Sequence, residues 1–350
     1  MWLELFKIYR EFQTSLHRST FGQGGDMKRI RWFIFGFIPI FLLSFLAQST
    51  RAQTYPDQPI QLVITMSPGD SLDLTGRAIG AELSKVLRTT VIPVNKLGGT
   101  GSVGADFVAK GKKDGYTVLY TNSNLIYAYA ANPASIPYNP FQDLEPLCLG
   151  VSIPLLIAVQ ADSPWKSFQG LVDYIRKNPG KVRGSSAGVG SVGYFGYEVI
   201  RAETGAGIIN VPYKGASPGL TALLGGHVEL SIPALGLVAP HLQAGKIRAL
   251  LTSKKIPSLP QIPTLIELGY KRDISSAWFG FFLPPGVPDP VKKILISALE
   301  KSIKSADVVS VVQNLSALED FKPAAEFKKM MMDEYGMIKE LFQTPGPVPK

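Results

Sequence analysis

Beyond residue 55, short runs of β-branched and aliphatic residues alternate with segments whose apolar side chains recur at helical spacing. That alternation is the signature of an α/β protein with mainly parallel sheets. "IQLVITM" (60–66) reads as a strand, "SLDLTGRAIGAELSKVL" (71–87) as a helix, "TVIPVN" (90–95) as a strand, 102–110 as a short helix and "YTVLYT" (116–121) as a third strand. A second series opens near 153, with strands at 155–160, 182–187, 208–213, 228–234 and 247–253 and helices at 168–178, 191–203 and 217–225. "SSAWFGFFLP" (275–284) is apolar enough for a buried strand, and helices at 288–304 and 323–342 follow. A chain of 350 residues has room for two domains of ordinary size. The expected architecture is therefore two α/β lobes, 54–152 with 275–343 and 153–274, crossed by the chain near 150–155 and 270–277. Ligands of open α/β sheets sit at the carboxyl ends of the strands, which here means the cleft.

The first fifty residues read as an address. "MKRIR" from Met27 is a cationic start, "WFIFGFIPIFLLSFLA" an apolar stretch and "STRAQ" a small-residue cleavage context ending at Ala52. The apolar run at 32–47 is broken by Pro39 and shorter than the roughly 20 residues of a membrane span. Residues 27–52 are expected to be a cleaved export signal. No cysteine follows the run, so a lipid anchor is not expected. With Met27 as the expected start, residues 1–26 form a non-native or disordered extension, and 344–350 a flexible tail. Without residues 1–52 the chain keeps 29 Lys and Arg against 24 Asp and Glu, a formal charge of +5. No basic run exceeds two residues, which argues against nucleic-acid binding.

Several motifs invite enzymatic readings. "GTGSVG" (99–104) and "GVGSVG" (188–193) fit the dinucleotide pattern, yet neither is followed at the end of the next strand by the acidic residue that holds a ribose. No nicotinamide cofactor is expected. "GSSAG" (184–188) matches a hydrolase elbow with Ser186 as nucleophile, which would need a later acid and then a histidine. The histidines available are His227, in a turn, and His241, in a short exposed helix, so a secreted serine hydrolase stands as an alternative. The single Cys148 reads as a buried apolar residue, and Met330 to Met332 as packing. No metal-ligand spacing occurs.

A glycine-rich loop that enters a helix exposes unpaired N–H groups beside the positive end of the helix dipole, and so binds anions without a charged side chain. Four places have this character: "SPGDSLD" (67–73), 99–104, 186–193 and "YKGASPG" (213–219). Ser102 and Ser191 are placed to cap their helices or to donate hydroxyls. Divided between two lobes, all four are expected to converge on a common pocket.

Taken in order, "YPDQPIQLVITMSPGDSLDLTGR", "VNKLGGTGSVGADFVAKGKKDGYTVLY", "YNPFQDLEP", "GSSAGVGSVGYFGYE", "VPYKGASPGLTALLGGHVELS", "HLQAGKIRALLTS" and "PQIPTLIELGY" closely resemble the Bug family, the TctC-like periplasmic substrate-binding proteins of tripartite tricarboxylate transporters. The likeness runs from Tyr55 to Phe342. It implies a type II periplasmic-binding-protein fold that closes on a small organic anion, has no catalytic turnover and delivers its ligand to one large and one small membrane subunit. A monomer without a cofactor is expected, serving transport or, as an alternative, a membrane signalling protein. Carried over by position, the ligand-binding residues are Ser67, Pro68, Gly69, Asp70, Ser71 and Asp73, then Gly99, Thr100, Gly101, Ser102 and Ser123. From the other lobe come Ser186, Val189, Gly190, Ser191, Tyr213, Lys214, Gly215 and Pro233. Asp70 stands where such proteins usually have glycine, which suggests a role in selectivity, and the Asp common near Pro233 is missing.

Overall fold

The computed structural model of the protein describes residues 55–343 apart from Val189 and Lys214. The expected export signal, the 1–26 extension, the 344–350 tail and two candidate ligand residues, Val189 and Lys214, lie outside the described residues.

The first sheet holds β1 (Ile60–Ile64), β2 (Val91–Asn95), β3 (Thr117–Asn122), β4 (Glu145–Ile153), β10 (Ala277–Leu283) and β11 (Leu318–Pro323), ordered β11-β4-β10-β3-β1-β2. The second holds β5 (Leu156–Gln160), β6 (Arg183–Ser186), β7 (Ile209–Pro212), β8 (Leu230–Ser231) and β9 (Ile247–Thr252), ordered β7-β6-β8-β5-β9. Two sheets, each flanked by helices, make a two-lobed α/β fold. The sheets are mixed rather than mainly parallel. β1 pairs in parallel with β2 and β3, and β6 with β7 and β8, but β10 is antiparallel to β3 and β4, and β5 to β8 and β9. The cause is the connectivity: β4 runs on into β5 through Pro154, and β10 returns beside it, so both crossing strands enter against the local direction.

Helix α1 (Ser71–Leu87) forms where its helical spacing predicts, with Leu72, Ile79 and Leu83 buried on the sheet. Asp70 caps it by accepting from the Leu72 amide at 2.9 Å. Together with α8 (Asp289–Ile303) and α9 (Ala306–Asn314) it covers one face of the first sheet, where Cys148 is fully buried. The other face carries α2 (Ser102–Ala109), α3 (Asn124–Ala131) and α10 (Ala324–Gln343). Its apolar cluster continues into the second lobe under α4 (Phe168–Lys177) and α5 (Val192–Thr204). Met331 is buried in that cluster and Met330 packs against it, whereas Met332 is exposed. The remaining face of the second sheet is covered by α6 (Ala216–Leu224) and α7 (Leu235–Gln243), which contains His241.

Other expectations need correction. The strand expected at 228–234 shrinks to two residues, because Pro233 has no amide to give a ladder and Ala234 already caps α7. Ser102 does not cap α2: Gly101 occupies that position with φ 98°, and Ser102 is the first helical residue. The helix α3, the strand β4, the helix α9 and the strand β11 have no counterpart among the elements expected from the sequence.

Three segments meet where the lobes join. The Leu155 amide donates to Ser253 Oγ at 2.9 Å, the Ser253 amide donates to the Leu155 carbonyl, and Ser253 Oγ lies 2.7 Å from Ser276 Oγ. Nearby, α7 sits so close to the end of α9 that a Cβ on Gly236 would stand 2.5 Å from the Leu315 carbonyl oxygen. Gly236→Ala is therefore expected to cost about 1–3 kcal/mol by forcing the backbones apart. Urea denaturation measures this, and an unchanged midpoint would mean that the contact yields freely.

Candidate functional site

A cavity of about 350 Å³ opens between the lobes. Its second-lobe wall is built where β6 ends and α5 begins. After Ser186 the chain turns through Gly188 (φ 122°) and Gly190 (φ 82°), backbone angles that side-chain-bearing residues rarely adopt. Ser191 then caps α5, its Oγ accepting from the Tyr194 amide at 3.2 Å. Beneath this turn, Ser185 Oγ lies 3.0 Å from the Gly219 carbonyl oxygen and 2.8 Å from Ser231 Oγ, while the Tyr197 hydroxyl donates to the Ser185 carbonyl. The loop is thus anchored from below. The first-lobe wall is α3, through Asn124, Ala128 and Ala131. The walls nearly touch: a Cβ on Gly190 would lie 3.5 Å from Ala131 Cβ.

Four helices begin at this cavity. Asn124 opens α3, Val192 opens α5, Ala216 opens α6, and Ala234 caps α7, and all of these residues line it. No described lining residue is charged. The positive ends of four helix dipoles thus meet at this lining, together with the residues Ser186, Ser191 and Ser231, whose hydroxyls can donate or accept hydrogen bonds. Among the described residues no cluster of His, Cys, Asp and Glu could hold a metal, and no helix is long and apolar enough to cross a membrane.

Of the expected ligand residues, Ser186, Gly190, Ser191 and Pro233 line the cavity. Ser123 and Gly215 cap α3 and α6 one residue outside it. The first-lobe loops are not brought to its wall. Ser67, Pro68, Gly69 and Asp70 are exposed, and Gly99, Thr100 and Gly101 form a short 3-10 turn ahead of Ser102. Tyr213 packs against the α6 and α7 cluster instead. Ser71 starts α1. Asp73 is buried and its carboxylate is spoken for: it accepts from the Gly69 amide at 2.9 Å, from Arg77 Nε at 2.9 Å and from Asn95 Nδ2 at 2.8 Å. Through these bonds it braces the loop. Asn124, Ala128, Ala131, Ser185 and Ser231 are lining residues that the sequence motifs do not single out. The Ser-Asn pair ahead of "LIYAYA" is the helix-start signal that points to the first of them.

These features have close parallels. The family model described as "Tripartite tricarboxylate transporter family receptor" (TctC) matches residues 75–346. The chain belongs to this TctC receptor family. Protein BugT of Bordetella pertussis (strain Tohama I) is 32% identical over 302 residues, covering 84% of this chain and 93% of that protein. Among solved structures, a TctC solute binding protein from Polaromonas superposes with a TM-score of 0.75 at 26% identity, covering 83% of this chain and 99% of that one. MatC from Rhodopseudomonas palustris, solved with bound malate, gives a TM-score of 0.66 at 26% identity, covering 82% and 99%. As in other TctC receptors the fold is that of a periplasmic binding protein, and among the described residues Ser186 Oγ hydrogen-bonds to the Gly188 backbone, at 3.4 Å, while His227 folds against the Gly225 turn.

Burial tends to raise the Asp73 pKa, but hydrogen bonds from Arg77, Asn95 and the Gly69 amide outweigh it and hold the carboxyl below its ordinary value. A depressed pKa stabilises the fold above the unfolded value, and that stability is lost as pH falls through the folded one. Asp73→Asn is therefore expected to destabilise at neutral pH and to flatten the loss of thermal stability below about pH 4. Melting curves from pH 7 to 3 check this, and parallel curves for the two proteins would contradict it.

Proposed function

We propose that this protein is a periplasmic receptor that captures a small carboxylate between its lobes and hands it to the large and small membrane subunits of a tripartite transporter. One observation carries the reading: four helix N-termini open on one interlobe cavity whose described lining is uncharged. Such a site favours an anion through backbone N–H groups and hydroxyls. Malate bound in MatC supports a carboxylate ligand, and the export signal expected at 27–52 supports the periplasm. Closure would swing the lobes about the junction of Leu155, Ser253 and Ser276. The protein carries no catalytic turnover in this reading, and Ser186 is a ligand contact rather than a nucleophile.

Ser191 makes the reading testable. Its Oγ already accepts from the Tyr194 amide, which leaves the hydroxyl hydrogen free to donate to an anion. After unfolding and refolding to strip retained solute, calorimetry with mono-, di- and tricarboxylates is expected to find a binder. Ser191→Ala should weaken its binding by about tenfold, the loss of one charge-assisted hydrogen bond. No heat from any carboxylate, with labelling of Ser186 by a fluorophosphonate probe, would overturn the reading in favour of a hydrolase.

A further inference from the structure

The cavity's first-lobe wall is held from behind by a carboxylate. Glu334, in the middle of α10, accepts from the Tyr127 hydroxyl at 2.6 Å and from Trp278 Nε1 at 2.7 Å. Each partner belongs to a different piece of the machinery. Tyr127 sits on α3 between the lining residues Asn124 and Ala128. Its ring is fully buried, 4.9 Å from that of Phe195 on α5, the helix that forms the opposite wall. Trp278 is in β10, the strand paired with β4, from which the chain runs on into the second lobe.

We propose that Glu334 is a positioning residue that sets the separation of the cavity walls, acting through Tyr127 on Phe195 and through Trp278 on β10, the strand of the return crossing. The inference rests on the cavity being the ligand site. Among the described residues Tyr127 is the one titratable partner facing Glu334, and both of its hydrogen-bond donors are neutral. Burial pushes the Glu334 carboxyl up from its ordinary value, against these donors. As pH rises through the window between the ordinary and the raised value, the folded chain gives up a proton that the unfolded chain has already lost, so stability from this group declines.

The test pairs a distance with an affinity. Spin labels at the exposed positions Lys112 and Lys181, one on each lobe, report separation without any ligand, and Cys148 is fully buried and stays unlabelled. Glu334→Gln removes the charge and keeps an acceptor. Tyr127→Phe keeps the ring and serves as the second variant should Glu334→Gln fail to fold. Asp333→Asn, an exposed neighbour paired with Lys329, is the control. Both test variants are expected to shift the interlobe distance in the same sense, with no further shift in the double variant, while the control matches the wild type. Carboxylate affinity should fall about tenfold in step. Trp278 emission should titrate with pH above the ordinary carboxylate range in the wild type and lose that transition in Glu334→Gln. Distances in Glu334→Gln and Tyr127→Phe that superimpose on the wild type would overturn the proposal. A wild type that binds no carboxylate would instead overturn the receptor reading, while the distance measurement still decides the role of Glu334.

Discussion

A single apolar cluster runs without a break from beneath the first sheet to beneath the second, and the position of the cavity depends on it. Val63, Leu119 and Phe282 contribute from the first sheet, Ile157 and Leu230 from the second, and Phe327, Met331 and Ile338 of α10 span the join. Fully burying one such side chain is worth about 1.5–3 kcal/mol, so the cluster supplies much of the energy that packs α3, α5 and α10 together. Once those helices are fixed, the starts of α3 and α5 must face each other. The gap left between them is the cavity.

Recognition built on helix dipoles differs in kind from recognition built on ion pairs. An arginine would fix one carboxylate geometry, with the desolvation cost of a buried charge. In the proposed receptor, backbone N–H groups at four helix starts would supply positive potential over an area, and shape with a few hydroxyls would do the selecting. Such a pocket can be retuned by changing small residues such as Ala128 or Ala131 without disturbing the electrostatics. Two described carboxylates of the first-lobe loop make internal contacts: Asp73 ties the loop to Arg77 and Asn95, and Asp70 caps α1.

Much of the fold is legible in the order of the residues. Helix 71–87 is found at those residues because its apolar spacing marks the segment, and the structure closes its two ends with Asp70 and a left-handed Arg88. The illegible part lies where the lobes connect. β4 contains Pro146 and Gly150 and is buried along almost its whole length, so it shows no alternation, and β11 is an edge strand of mixed polarity. The direction of the crossing strands is equally hidden, since a local pattern says that a strand exists and not which way it pairs. At the site, the second-lobe glycine loop lines the cavity, and its resemblance to the first-lobe loop does not extend to that placement. Identical "GSV" triplets at 101–103 and 190–192 differ in context: the first follows a 3-10 turn at Gly99–Gly101, and the second follows Gly188 into a cavity wall. Opposite that wall stands α3, where two of the lining residues are alanines that carry no chemical signature.

A crystal structure of the refolded protein with its tightest-binding carboxylate tests the central claim most directly. The account predicts the carboxylate between the lobes, its oxygens within hydrogen-bonding distance of first-turn amides of α5, α6 or α7 and of the Ser191 hydroxyl. A ligand held instead by charged side chains, or seated in the groove lined by Leu242, Ile256 and Leu318, would contradict it.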